Sequence, residues 1–174
     1  MFKKSVYILI ALLSLGGTLY AEQMEYMDDI EAKEAARMVK EEGALIIDVR
    51  DPREFLYAGH AAGSVNIPIF FVRVDLPPVK TRLKIAEVER KKQKALHLKK
   101  SYRPMMDENE AFVEDVKKAV GQNLQKPVIL ICRSGERSIY AANKLAKNGF
   151  ENVYNIEGGF LFDWKASGLP AGGE

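Results

Sequence analysis

The chain of 174 residues contains a single cysteine and only two histidines. One cysteine cannot close an intramolecular disulfide, and with two histidines it cannot assemble a zinc site of four cysteines or of two cysteines and two histidines. No metal and no resident cofactor is expected, and any sulfur chemistry falls to Cys132. An excess of one charge is also missing. The 26 lysines and arginines stand against 24 aspartates and glutamates, and the resulting +2 is too small to mark a nucleic-acid binder. Long apolar runs are scarce, and the one near the N-terminus is shorter than the roughly 20 residues that cross a bilayer comfortably. What the chain does have is 47% apolar residues, enough for the core of one ordinary domain.

Residues 1–21 have the layout of a secretory signal: Lys3 and Lys4, an apolar run from Val6 to Leu15, then Gly16, Gly17, Thr18 and a cleavage position after Ala21. The chain is therefore expected to be exported, as a periplasmic protein would be, with an uncleaved membrane anchor as the alternative. Leu19 is larger than the small residue usual before such a cleavage position, which keeps that alternative open. Cleavage removes two lysines and no acids, so residues 22–174 carry no net charge and form one expected domain.

Within that domain, apolar strands alternate with amphipathic helices. Asp28 or Asp29 is expected to cap a helix reaching Glu42, with Ile30, Ala35, Met38 and Val39 near one face and Gly43 as its stop. Ala44–Ile47 reads as a buried strand that ends in Asp48, Val49 and Arg50. A helix opening at Pro52 with Asp51 as cap, and a short strand from Ser64 to Ile67, follow. Asp107 and Glu110 have capping-box spacing ahead of Phe112, Val113, Val116, Ala119 and Val120. Val128–Ile131 is a second continuous apolar strand, a helix from Ser138 to Asn148 comes after it, and Val153–Ile156 is the last strand. This order predicts an α/β fold, a parallel sheet of about five strands with helices on both faces. Sites in such sheets lie at the carboxyl ends of strands, where Cys132 falls.

The segment from about 70 to 104 departs from the alternation. Eleven basic and three acidic residues between Val72 and Arg103 give it +8, against −8 for the rest of the expected mature chain. Val79, Leu83 and Ala86 have helical spacing, so a partly amphipathic helix projecting from the domain is expected there. Its field suits an acidic protein or an anionic membrane surface.

Cys132 sits between a buried strand and a helix N-terminus, where unpaired amides and the helix dipole favour a thiolate. Arg133 and Arg137 add positive charge, Glu136 opposes it if turned inward, and Ser134 and Gly135 let the loop curl its amides toward one point. The alternative is an inert buried thiol.

Four separated motifs resemble a single-domain rhodanese, the sulfurtransferase family. They are Ile47-Asp48-Val49-Arg50 with Glu54-Phe55, Gly59-His60-Ala61-Ala62-Gly63-Ser64-Val65-Asn66-Ile67-Pro68, Cys132-Arg133-Ser134-Gly135-Glu136-Arg137-Ser138, and Gly158-Gly159-Phe160 before Trp164. The resemblance implies a rhodanese-like fold in which Cys132 attacks a donor such as thiosulfate, carries sulfur as a persulfide, and passes it to cyanide or a thiol. It implies that the amides of Arg133, Ser134, Gly135, Glu136 and Arg137 hold the persulfide, and that the two arginine side chains receive the anionic donor. Related phosphatases and arsenate reductases place their arginine one residue further from the cysteine, so the tighter loop here favours sulfur transfer over phosphatase or arsenate reductase activity. Asp48 and Arg50 are expected to tie the strand end to the next helix through hydrogen bonds and a charge pair with Glu54. His60 is expected to support a turn rather than act as a base, and His97 to face solvent. A second reading is a non-catalytic binding module whose task is set by the basic segment.

Overall fold

The computed structural model describes residues 25–90 and 103–173. The expected export signal lies outside the described residues, and so do residues 91–102 of the basic segment, His97 among them. The elements in chain order are β1 (Asp28–Ile30), α1 (Ala32–Glu42), β2 (Leu45–Asp48), α2 (Pro52–Tyr57), β3 (His60–Ala61), β4 (Val65–Asn66) and β5 (Phe70–Asp75). They continue with α3 (Val79–Arg90), β6 (Arg103–Glu108), α4 (Phe112–Ala119), β7 (Val128–Ile131), α5 (Glu136–Lys147), β8 (Val153–Ile156), a π-helical turn (Phe160–Trp164) and β9 (Ala171–Gly172).

Five strands form a parallel sheet in the order β1-β8-β7-β2-β4. The central strand β7 is buried along its whole length, and strand alternation sends its side chains to two different layers. Val128 and Leu130 pack with Phe112, Val113 and Val116 of α4 and with Ala141, Ala142 and Leu145 of α5. Ile129 and Ile131 pack with Ala32, Ala35 and Met38 of α1 and with Phe160 and Trp164 of the π-helical turn. Helices on both faces explain why β7 is continuously apolar rather than alternating. Each large side chain so buried contributes about 1.5–3 kcal/mol of transfer free energy.

Three local expectations are corrected. Asp28 and Asp29 do not cap α1; they lie in β1, paired with β8, and Glu31 stands at the N-cap without a side-chain hydrogen bond. The Ala32 N–H instead donates to Asp163 Oδ2 at 2.7 Å, so a carboxylate from the far end of the chain satisfies the first turn. Asp107 is likewise a strand residue, ion-paired to Arg73 across the β5–β6 ribbon, and Asn109 Oδ1 accepts from the Ala111 N–H before α4. The expected helix carrying Val79, Leu83 and Ala86 is present as α3, but the basic segment is not simply a helical excursion. It leaves and re-enters the domain as the antiparallel ribbon β5–β6, with α3 after the first strand. The ribbon forms because residues 70–75 and 103–108 satisfy each other's backbone groups over a six-residue register, which helical periodicity cannot reveal.

Candidate functional site

Cys132 directly follows β7 and is 1% exposed. The Gly135 N–H donates to its Sγ at 3.2 Å, and α5 begins at the next residue. The loop closes over one sulfur because Gly135 adopts φ +103°, where a Cβ would stand 2.3 Å from the Glu157 carbonyl oxygen. Only glycine combines that backbone angle with that approach. The Gly135 carbonyl accepts from the Ser138 hydroxyl at 2.8 Å and from the Ile139 N–H at 3.0 Å, which locks the loop to the first turn of α5.

A second segment holds the loop from the other side. The Phe160 N–H donates to the Cys132 carbonyl at 2.8 Å and the Leu161 N–H to the Arg133 carbonyl at 3.2 Å. Gly159 makes this contact possible, since a Cβ there would lie 2.7 Å from Cys132 O, Arg133 C and Ser134 N. The motif Gly158-Gly159 signalled a turn; that the turn buttresses the cysteine loop depends on packing between β7 and β8.

The charged groups divide differently from the expectation. Arg137 is held by a carboxylate. Its Nη1 and Nη2 donate to Glu54 Oε2 and Oε1 at 2.5 and 2.9 Å, in a bidentate pair that is largely shielded from water. The expected charge pair of Asp48 and Arg50 with Glu54 is corrected accordingly, because Glu54 forms its ion pair with Arg137. Burial alone would push the Glu54 carboxyl up. The hydrogen bonds and charge of Arg137, with the nearby charge of Arg50, hold it below the ordinary carboxylate value. The same pair holds Arg137 above its ordinary value against the opposing effect of burial, and the Cys132 side chain adds to its field.

Asp48 and Arg50 close on each other. Arg50 Nη2 donates to Asp48 Oδ2 at 2.6 Å and to the Gly59 carbonyl at 2.7 Å, and its guanidinium lies 4.7 Å over the Phe160 ring. Both side chains are excluded from solvent, as charges in a core must be when paired and hydrogen-bonded. Asn66, which received no individual role, donates through Nδ2 to the Asp48 and Arg50 carbonyls at 2.9 Å each and fixes the end of β2. His60 stacks on Phe55 with ring centroids 3.7 Å apart, and its Nδ1 lies 3.1 Å from the Phe55 carbonyl, which accepts its proton.

Arg133, Ser134 and Glu136 are exposed. A cleft of about 290 Å³ opens beside the loop, lined by Arg50, Glu54, Ala58, Arg133 and Leu161. With Arg50 tied to Asp48 and Arg137 tied to Glu54, Arg133 is the cleft cation that no carboxylate in the described residues neutralises. Among the described residues no cluster of three or more His, Cys, Asp or Glu is placed to hold a metal ion.

Comparison with known proteins gives a consistent picture. Residues 31–167 match the model of the rhodanese-like domain. The chain is 27% identical over 157 residues to rhodanese-like domain-containing protein 14, chloroplastic, of Arabidopsis thaliana, spanning 81% of this chain and 63% of that protein. It is 28% identical over 147 residues to the thiosulfate sulfurtransferase GlpE of Actinobacillus pleuropneumoniae, spanning 84% of this chain and 94% of that one. A crystal structure from M. tuberculosis superposes with a TM-score of 0.57 at 21% identity, covering 86% of this chain and 99% of that one. That likeness shows the fold.

Proposed function

The chain belongs to the rhodanese-like domain family, and from that premise we propose that it is an exported sulfurtransferase working through a persulfide on Cys132. The observation that carries the proposal is the sulfur itself, held at the end of β7 by the Gly135 N–H and facing the first turn of α5. Amides and a helix N-terminus stabilise negative charge at that point, which suits both a thiolate nucleophile and the anionic outer sulfur of a persulfide. In the first half-reaction the Cys132 thiolate attacks the outer sulfur of thiosulfate; an S–S bond forms to Cys132, and the bond to the departing sulfite breaks with its electron pair. In the second, cyanide or an acceptor thiolate attacks that outer sulfur, leaves as thiocyanate or a new persulfide, and returns the thiolate. Arg133 receives the anionic donor at the cleft, while Arg137 shapes the loop through Glu54. Arg137 being engaged by Glu54 supports sulfur transfer over phosphate or arsenate chemistry, which needs a free guanidinium for a tetrahedral oxyanion. Export rests on the layout of residues 1–21.

The test is intact mass. Incubation with thiosulfate adds about 32 Da to the wild-type chain as a persulfide, thiocyanate appears when cyanide follows, and Cys132→Ser abolishes both. A wild-type chain that gains no sulfur from thiosulfate or from a low-molecular-weight persulfide refutes the proposal. The burial of Cys132, 1% exposed, favours the second reading of a binding module with an inert thiol; that reading predicts the same absence of sulfur uptake.

A further inference from the structure

Glu54 stands in the wall of two depressions. The first is the cleft of about 290 Å³ beside the cysteine loop, which it lines with Arg50, Ala58, Arg133 and Leu161. The second is a shallow groove of about 300 Å³, lined by Asp51, Arg53, Glu54, Val72 and Val74. Val72 and Val74 share one face of β5, so the far wall comes from the β5–β6 ribbon, which no motif of the sulfur site includes. That wall is fixed in place. The Val72 N–H donates to Asp51 Oδ2 at 2.9 Å, and Arg53 Nη2 donates to the Val72 carbonyl. Glu54 between the two depressions is fixed as well, with both carboxylate oxygens engaged by Arg137.

Size and charge both select the occupant. Pockets of roughly 300–1,000 Å³ hold organic molecules, whereas thiosulfate, an ion of about the size of sulfate, fills only part of the first depression. Ala58 and Leu161 in the first, and Val72 and Val74 in the second, give such an ion no apolar surface to cover them. Of the arginines in the two walls, Arg50 is paired with Asp48 and Arg53 with Asp51, while Glu54 is paired with Arg137. Arg133 alone has no carboxylate partner among the described residues. One uncompensated cation beside two apolar walls matches a single negative charge on a hydrocarbon body. Cys132 is 1% exposed, so the reacting sulfur has to be presented end-on into the cleft, which suits a slender molecule and not a folded protein surface.

We propose that the ribbon extends the sulfur cleft into a two-part site for an organic thiosulfonate, R–SO2–S⁻. Its sulfonyl group lies at Arg133, and its hydrocarbon runs along Leu161 and past Glu54 to Val72 and Val74. The Cys132 thiolate attacks the terminal sulfur and an S–S bond forms to Cys132. The bond from that sulfur to the sulfonyl sulfur breaks, and its electron pair leaves with the sulfinate, R–SO2⁻. Cyanide then takes the outer sulfur as thiocyanate and returns the thiolate. The inference rests on the sulfurtransferase reading and adds to it the ribbon valines as residues that choose the donor.

The experiment measures kcat/KM for methane-, butane- and octanethiosulfonate, and for thiosulfate, with cyanide as acceptor and below the concentration at which the octyl donor self-associates. The three thiosulfonates share one leaving-group chemistry, so their ratios report contacts of the chain. The value is expected to rise about twofold per methylene, half of the roughly fourfold that full burial gives, because the groove is open on one side; octyl then exceeds methyl on the order of 100-fold. Val74→Ser, at a side chain 49% exposed, is expected to lower the octyl value about fivefold and to leave the methyl and thiosulfate values unchanged, which a loss of folding would not do. If thiosulfate turns over while the thiosulfonate series is flat or falling, the two-part site is overturned, the sulfurtransferase reading stands, and the groove becomes a surface for a protein partner. A Val74→Ser chain of unchanged melting temperature that keeps the full octyl gain overturns the site as well. If no donor, thiosulfate included, puts sulfur on Cys132, the sulfurtransferase reading fails and the inference with it.

Discussion

Replacing Glu54 by Gln removes one charge of the pair that shapes the cysteine loop and leaves the Arg137 guanidinium without its counter-ion. The side chains are 18% exposed for Arg137 and 32% for Glu54, between the surface pairs that contribute less than about 1 kcal/mol and the fully buried pairs whose breakage costs about 3–5 kcal/mol. Solvent screening on the Glu54 side places the expected loss near 1–3 kcal/mol, or about 3–10 °C in melting temperature for a domain of this size. The loss depends on pH with a definite sign. The Glu54 carboxyl is depressed in the folded chain, so its stabilisation is fully present above the unfolded value of about 4.3 and disappears as pH falls through the folded value. Urea unfolding of wild type and variant should therefore give midpoints well separated at neutral pH that converge in acid below that value. The same variant releases Arg137 toward the cleft, so the KM for thiosulfate should fall or hold while loop stability drops. Equal midpoints at neutral pH, or a gap that persists undiminished in strong acid, would refute the assignment of Glu54 as the partner that holds Arg137.

Arg133→Gln removes the cleft cation without a carboxylate partner and should raise the KM for thiosulfate roughly tenfold, the value of one charge-assisted hydrogen bond, while the urea midpoint stays unchanged because the side chain is exposed; steady-state kinetics and urea unfolding separate these. Gly135→Ala should cost about 2–5 kcal/mol, from a positive φ and a 2.3 Å approach to the Glu157 oxygen. Gly121→Ala, at φ +64° with nothing within 4 Å of the new Cβ, should cost only about 1–2 kcal/mol, so equal losses in urea unfolding would refute the steric argument. Arg50→Ala leaves the Asp48 carboxylate fully buried without its partner and should cost about 3–5 kcal/mol, measured by denaturant midpoint; a loss below about 1 kcal/mol would show that the pair is solvated in solution.

Much of the fold was legible where the signal is local. Pro52 after Asp51 gives the start of α2 as expected, because a fixed φ and a side-chain cap act within one turn. The continuous apolar run Val128–Ile131 gives the central strand, because burial on both faces leaves no polar position. The expectations failed where a local pattern met a remote competitor. Asp28 and Asp29 look like a cap, yet Asp29 Oδ1 accepts from Tyr26 and from Asn155, and pairing with β8 prevails. Asp107 and Glu110 have capping spacing, yet the ion-pair partner of Asp107, Arg73, lies 34 residues earlier.

The cysteine site divides in the same way. Residue types and spacing alone determined that Cys132 ends a buried strand, that a tight loop with Gly135 follows, and that a helix begins behind it, because each of these depends on interactions within a few residues. Which arginine remains available to an anion was decided only by the tertiary structure. Glu54 and Arg137 are 83 residues apart in the chain, and nothing in either segment records the other. Their meeting follows from β2 and β7 lying side by side in the sheet, which brings the helix after each strand to the same edge. The support of the loop by Gly159 and Phe160 likewise exists because β8 is the other neighbour of β7. Short-range chemistry can be read from the chain, whereas charge pairing across a sheet is set by which strands become neighbours.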